Sequence, residues 1–226
     1  MATTTPPPGG STREPDGLSL RERKKLRTGA KLWSTAIALF QERGFDQVSV
    51  AEIAAAAEVS KMTVFNYFPA KEDLVMRPME DHVDETARVV RERPAGCSPL
   101  AAVRAHFLAA LAAHDPATGL CDQEPVLGVL KLIRDTPSLA LRAQAISMRS
   151  EELLGAELAA QRPDHDPLTA EVAAAQIMGA RRALILENQR RVLAGESAAS
   201  AEPRATAEAA RAFALVEEGL AGYCGG

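Results

Sequence analysis

Residues 48–74, VSVAEIAAAAEVSKMTVFNYFPAKEDL, hold two helix starts so close together that the chain must turn sharply between them. Ser49, followed three residues later by Glu52, forms a capping box. In it the hydroxyl and the carboxylate each take a backbone N–H that a helix start leaves unpaired. A short helix is therefore predicted from Val50, with Val50, Ile53 and Ala54 on its inner face. Ala57, Glu58 and Val59 make a tight turn. Ser60 is a second N-cap, opening a helix over 61–68 with Val64, Phe65 and Phe68 at helical spacing. Two short helices joined by one sharp turn outline a helix-turn-helix.

The face of the second helix away from Val64, Phe65 and Phe68 carries Lys61, Met62, Thr63, Asn66 and Tyr67. A cation, hydroxyls, an amide and an apolar tip are the groups that meet phosphates and base edges. V-S-x-x-T-V-F-x-Y-F-x-x-K-E-D-L over 59–74, preceded by L-F-x-x-x-G-F-D-x-V-S-V-x-x-I-A over 39–54, resembles the DNA-binding signature of the TetR family of transcriptional regulators. The resemblance covers about a quarter of the chain. It implies that Tyr67 and Lys71 are phosphate contacts and that Ser49 places a hydroxyl at the start of the second helix, where a backbone N–H also faces phosphate. The expected DNA surface is then Ser49, Lys61, Met62, Thr63, Asn66, Tyr67 and Lys71. Two positions depart from the family pattern: Glu58 stands where glycine is usual in the turn, and Phe65 where tyrosine is usual. If the backbone needs positive φ at Glu58, the side chain costs about 1 kcal/mol there.

A net charge of −4 is unexpected for a DNA binder until it is divided by segment. Residues 1–74 hold 10 Lys/Arg against 9 Asp/Glu, and 75–226 hold 16 against 21, so the two parts carry +1 and −5. Within 21–31, Arg21, Arg23, Lys24, Lys25, Arg27 and Lys31 oppose only Glu22, a patch suited to neutralising phosphates. The 3 cysteines lack a C-x-x-C spacing, which fits a reducing cytoplasm and no zinc ribbon or disulfide framework. No apolar run approaches the roughly 18 residues of a membrane span, and the start has no signal-peptide layout. A soluble, cytoplasmic protein with no membrane partner is expected.

In order along the chain, residues 1–17 are rich in Pro, Gly, Thr and Ser and read as a disordered arm. A helix over 20–43 is predicted to bury Leu26, Ala30, Trp33, Ile37 and Phe40, with Gly44 closing it. A single helix over 71–93, which Pro78 either kinks or gives a shifted start, is the expected lever between the reading head and the remainder. Beyond it the patterning is wholly helical: 98–114, 126–134, 137–160, 168–194 and 203–222. In the fourth of these, Met178, Ile185 and Val192 form a second apolar stripe beside Ala173, Ile177, Ala180 and Leu184. In the last, Ala210, Ala214 and Ala221 form a small-residue row. Small side chains allow close helix approach, so Ile185, Val192, Ala210, Ala214 and Ala221 are the expected homodimer interface.

The fold class is all-α: an arm at 1–17, a three-helix DNA-binding domain at 18–70, and a helical effector-binding and dimerising domain at 71–226. The expected function is a ligand-released homodimeric repressor binding a palindromic double-stranded DNA operator. The alternative is a helical ligand carrier or enzyme with a vestigial head. No catalytic, cofactor or metal site is expected, since His82, His106, His114 and His165 never take an H-E-x-x-H spacing. Past residue 74 the aromatics are only Phe107, Phe213 and Tyr223, which favours an aliphatic or acyl-type small-molecule effector. Its candidate contacts are His106, Phe107, Arg142, Met148 and Met178.

Overall fold

Serines and a glycine set the bounds of the first three helices. α1, Leu20–Arg43, starts at Ser19 with a capping box to Glu22 and stops at Gly44, whose φ of 85° a side chain would resist. α2, Val50–Ala56, starts with the Ser49–Glu52 capping box. α3, Lys61–Tyr67, starts with Ser60 accepting from the Thr63 N–H. The structure is a computed structural model that describes residues 19–164 and 166–219, and these contain no strand. The arm expected at 1–17, His165 and Ala221 lie outside the described residues.

Along α1 the buried positions are Leu32, Ala36, Ile37 and Phe40. Leu26 and Ala30, expected on this stripe, are exposed. The first two turns of α1 run past the elements that would cover them. Trp33 is half-buried, and its indole Nε1 is sealed from water without a hydrogen-bond partner.

The single helix expected over 71–93 is two helices, α4 (Asp73–Glu80) and α5 (Glu85–Arg91). Pro78 removes the N–H that would bond back to Leu74. The chain then tightens into three i→i−3 bonds, from His82 to Met79, Val83 to Glu80 and Glu85 to His82. The His82 Nδ1 lies 2.7 Å from the Pro78 carbonyl oxygen, tying the break together.

α6, Pro99–Ala112, opens on Ser98 and a first-turn proline, as expected. A 3-10 turn at Pro116–Thr118 follows and ends at Gly119, where a Cβ would collide with the Ile185 carbonyl. α7 is Glu124–Asp135, α8 is Pro137–Gln161 and α9 is Pro167–Leu193. α10, Ala198–Gly219, begins ahead of Pro203 rather than at it. Its start is fixed by Asp122, which accepts from the Ala198 N–H at 2.9 Å, and by Ser197, which accepts from the Ser200 N–H at 3.2 Å.

Two cores result. One joins α1–α4 with Leu132 of α7 and Leu139 and Ile146 of α8. The other is built from α5, α6, α9, α10 and the far half of α8, where Leu154 and Leu158 lie, and is centred on Phe107, Leu111, Ile177 and Phe213. Helix α8 therefore contributes to both. Within the second core Phe107 and Phe213 meet edge-on, with ring centroids 5.8 Å apart.

Candidate nucleic-acid interface

Helix α3 is held by burial of Val64 and of Phe68 just beyond it. That leaves Lys61, Met62 and Asn66 exposed together, with Thr63 half-buried beside them. Phe65, expected in the core, is 38% exposed, with the Lys61 ammonium 5.8 Å from its ring centroid. On a helix of two turns only one line of side chains can face inward, and Val64 and Phe68 occupy it. Phe65 therefore belongs to the outer face.

The two positions matched to phosphate contacts are pre-positioned in different ways. Tyr67 is half-buried against α1, where Gly29 leaves room for its ring: a Cβ there would come 3.4 Å from Tyr67 Cδ1. Lys71 is half-buried with its Nζ 4.2 Å from the Phe45 ring centroid and 5.7 Å from that of Phe40. Cation–π attraction holds the ammonium near the end of α3. The Ser49 hydroxyl is engaged with its own helix, donating to Glu52 at 2.8 Å and accepting from the Glu52 N–H at 3.2 Å. The backbone Ser49 N–H, the Ser49 hydroxyl and Arg43, in that order, pull the Glu52 carboxyl from 4.5 to about 2. In the turn, Glu58 has a φ of 59°, the left-handed conformation in which glycine is the ordinary residue. Its carboxylate reaches Lys31 of α1 at 3.2 Å. Arg21, Arg23, Lys24, Lys25 and Arg27 are all exposed along the projecting first turns of α1.

The expected interface residues divide. Ala210 and Ala214 are exposed on α10. Val192 is buried in the second core, and Ile185 packs against that core. These two are corrected out of the interface, because the Met178, Ile185 and Val192 stripe is already covered within the chain. The face that α9 leaves open carries Leu168, Val172 and Leu186, and on α10 Leu215 is 71% exposed.

The expected effector contacts do not converge either. Phe107 and Met178 lie together in the second core. His106 is half-buried, with its Nε2 3.9 Å from Glu85. Met148 is 58% exposed on α8, away from the interior. Arg142 ties α8 to α4, pairing with Glu80 at 2.5 Å and with buried Asp73 at 3.2 Å. Met148 and Arg142 are thus corrected out of the set, the first because its face has no cover and the second because it is engaged at the junction. A cleft of about 520 Å³ opens elsewhere, between the end of α1 and α7, beside Gln41, Gly44, Gln47, Gly128 and Lys131.

Sequence reasoning missed Arg181. It projects from α9 beside Phe107 and Met178, and its Nη1 donates to the Thr86 hydroxyl of α5. Arg181 falls on the line of Ile177 and Leu184, four residues after one and three before the other. A charged residue on an apolar stripe was the available signal.

Comparison with known proteins agrees with this geometry. Residues 32–77 match the family model described as bacterial regulatory proteins, tetR family. The chain is 33% identical over 155 residues to the HTH-type transcriptional regulator TcmR of Streptomyces glaucescens, a match covering 68% of this chain and 66% of that protein. In fold it is similar to NalD of Pseudomonas aeruginosa, a secondary repressor of a multidrug efflux pump, with a TM-score of 0.55, 19% identity, and coverage of 83% of this chain and 97% of NalD. It is similar also to FadR of Thermus thermophilus, solved with lauroyl-CoA, with a TM-score of 0.51, 21% identity, and coverage of 85% and 94%.

Proposed function

The chain belongs to the TetR family of bacterial regulatory proteins, and we propose that it is a DNA-binding transcriptional regulator, a homodimeric repressor released from a palindromic operator by a small molecule. The outward set of Lys61, Met62 and Asn66 on a helix anchored by Val64 and Phe68 carries this reading. It presents base-reading and phosphate-binding groups on a rigid support. Ser49, Thr63, Tyr67 and Lys71 complete the surface. The DNA-binding head is assigned to 18–70, with an arm at 1–17, and effector binding and dimerisation to 71–226.

Dimerisation uses the open face of α9 and α10, with Ala210 and Ala214 giving close approach and Leu168, Val172, Leu186 and Leu215 giving apolar area. Exposed apolar residues on neighbouring helices mark an association surface. The effector sits among α5, α6 and α9, and its apolar lining suits an aliphatic or acyl-type body. Its arrival moves α5, and the turn after Pro78 passes the motion to α4, which Arg142 and Asp73 clamp to α8. A coupling of 1–3 kcal/mol between the sites corresponds to a loss of about 5–150-fold in operator affinity.

The test is to sequence duplex DNA retained by the pure protein, with light scattering of the complex. An enriched inverted repeat bound by a dimer is expected, and Lys71→Ala should lower the salt slope of binding by about one. Retention of no duplex, or of a random population only, would overturn the reading.

A further inference from the structure

Buried cations in folded chains are paired, because an unpaired charge out of water is costly. Arg191 on α9 follows that rule, with Glu187 at 2.9 Å, Glu208 at 2.8 Å and Asn188 at 3.4 Å. Arg181 on the same helix, half-buried, has no such partner. Its Nε is sealed from water and has no hydrogen-bond partner. Its Nη1 has only the Thr86 hydroxyl and, at 3.8 Å, the Met178 sulfur. The guanidinium carbon lies 5.9 Å from the Phe107 ring centroid. Among the described residues no carboxylate pairs with it. Glu85 is near enough to favour the charge, but its carboxylate is turned to Arg88 at 3.8 Å and His106 at 3.9 Å.

We propose that Arg181 is the receptor for the carboxylate of an aliphatic acid, whose apolar body lies against Phe107 and Met178 while Thr86 donates a further hydrogen bond to the same head. The proposal rests on the reading of this bundle as an effector domain and names the chemistry of the effector. The idle Nε–H and the Nη2 on the same edge of the guanidinium, neither of them bonded among the described residues, offer the two-point geometry that a carboxylate takes up. Burial pushes the Arg181 pKa down and Glu85 opposes this, but an arginine in a protein keeps its proton, so the positive charge persists. The single guanidinium balances one negative charge, and the Glu85 carboxylate disfavours a second. A monoanionic carboxylate therefore fits better than a phosphate dianion.

The experiment is calorimetric titration of the full chain with decanoate, decanol and decyl phosphate, alongside the Arg181→Met, Arg181→Lys and Thr86→Val variants, each checked for folding by circular dichroism. Decanoate should bind the wild-type chain about 10–100-fold more tightly than decanol does, and Arg181→Met should abolish that preference while still binding both weakly. Arg181→Lys should keep part of the preference, and Thr86→Val should lose a smaller share of it. Equal binding of decanoate and decanol, tighter binding of decyl phosphate, no binding of decanoate, or an unchanged preference in Arg181→Met would each overturn the assignment. DNA is absent from this assay, so failure of the carboxylate proposal and failure of the DNA-binding reading are seen separately.

Discussion

Helix α9 turns two arginines inward, ten residues apart, Arg191 buried and Arg181 half-buried, and surrounds them in opposite ways. Around Arg191, two carboxylates, an amide and the tie from Asn188 to the Thr118 carbonyl at 2.9 Å fasten α9 to α10 and to the 3-10 turn. Around Arg181 the chain supplies a hydroxyl, a thioether and the face of an aromatic ring. One arrangement is complete without anything from outside and serves the fold. The other lacks its counter-charge, and that deficit is the mark of a site. The head has the same contrast on a smaller scale: Ser49 and Glu52 satisfy each other, whereas Glu58 is held in a conformation its side chain disfavours.

The largest expected effect separates the two arginines. Arg191→Met leaves Glu187 and Glu208 without their common partner and should lower stability by about 3 kcal/mol, the lower end for a broken buried pair because both carboxylates keep some exposure. Arg181→Met removes a half-buried charge that has no ion-pair partner and should raise stability by up to about 1 kcal/mol. Urea unfolding of both variants checks the signs. Equal losses would erase the distinction between an arginine that fastens the fold and one that does not.

In the head, Ser49→Ala removes an N-cap and should cost about 1 kcal/mol. It should also move the Glu52 carboxyl upward from about 2, though not fully to 4.5, since the Ser49 backbone N–H still donates. A carboxyl depressed in the folded state lends stability that is complete above its ordinary pKa and is lost as pH falls through the folded value. The wild-type head should therefore weaken between about pH 4.5 and 2 on this account, and Ser49→Ala should begin to do so nearer the upper end. Carboxyl chemical shifts followed across that range would show it, and coincident titration curves would remove the cap from the explanation.

The smallest effect tests the strain. Glu58→Gly should stabilise the head by about 0.5–1 kcal/mol, since the left-handed backbone no longer opposes a side chain and the lost ion pair with Lys31 is solvent-exposed. Thermal unfolding would register a rise of a few degrees. No gain would mean that the Lys31 contact matters more than exposed pairs usually do.

The bounds of α1, α2 and α3 were legible because Ser49, Ser60 and Gly44 act on their own few residues. So was the positive φ at Glu58, through the departure from glycine. At Pro78 the sequence pattern supports a kinked helix, and the full break that follows it depends on His82 reaching the Pro78 carbonyl. The start of α10 was placed too late, because Asp122, 76 residues away in sequence, sets it. Phe65 was assigned inward by spacing alone, and which of two adjacent apolar residues faces in is decided by what packs opposite. Val192 was assigned outward for the same reason. Arg181 was hidden because a charge on a long helix is ordinarily solvated, and only its register with Ile177 and Leu184 set it apart.

Helix α8 has one end in each core, with Leu139 and Ile146 seated beside the head and Leu154 and Leu158 beside Phe107. Its 25 residues make a rod about 37 Å long. Pivoted at its far end, such a rod converts a tilt of about 5° into a sweep of roughly 3 Å at Leu139. A displacement of that size is comparable to the length of a hydrogen bond. A rearrangement among α5, α6 and α9 too slight to disturb their packing could therefore be magnified by simple geometry into a shift large enough to make or break contacts with a phosphate.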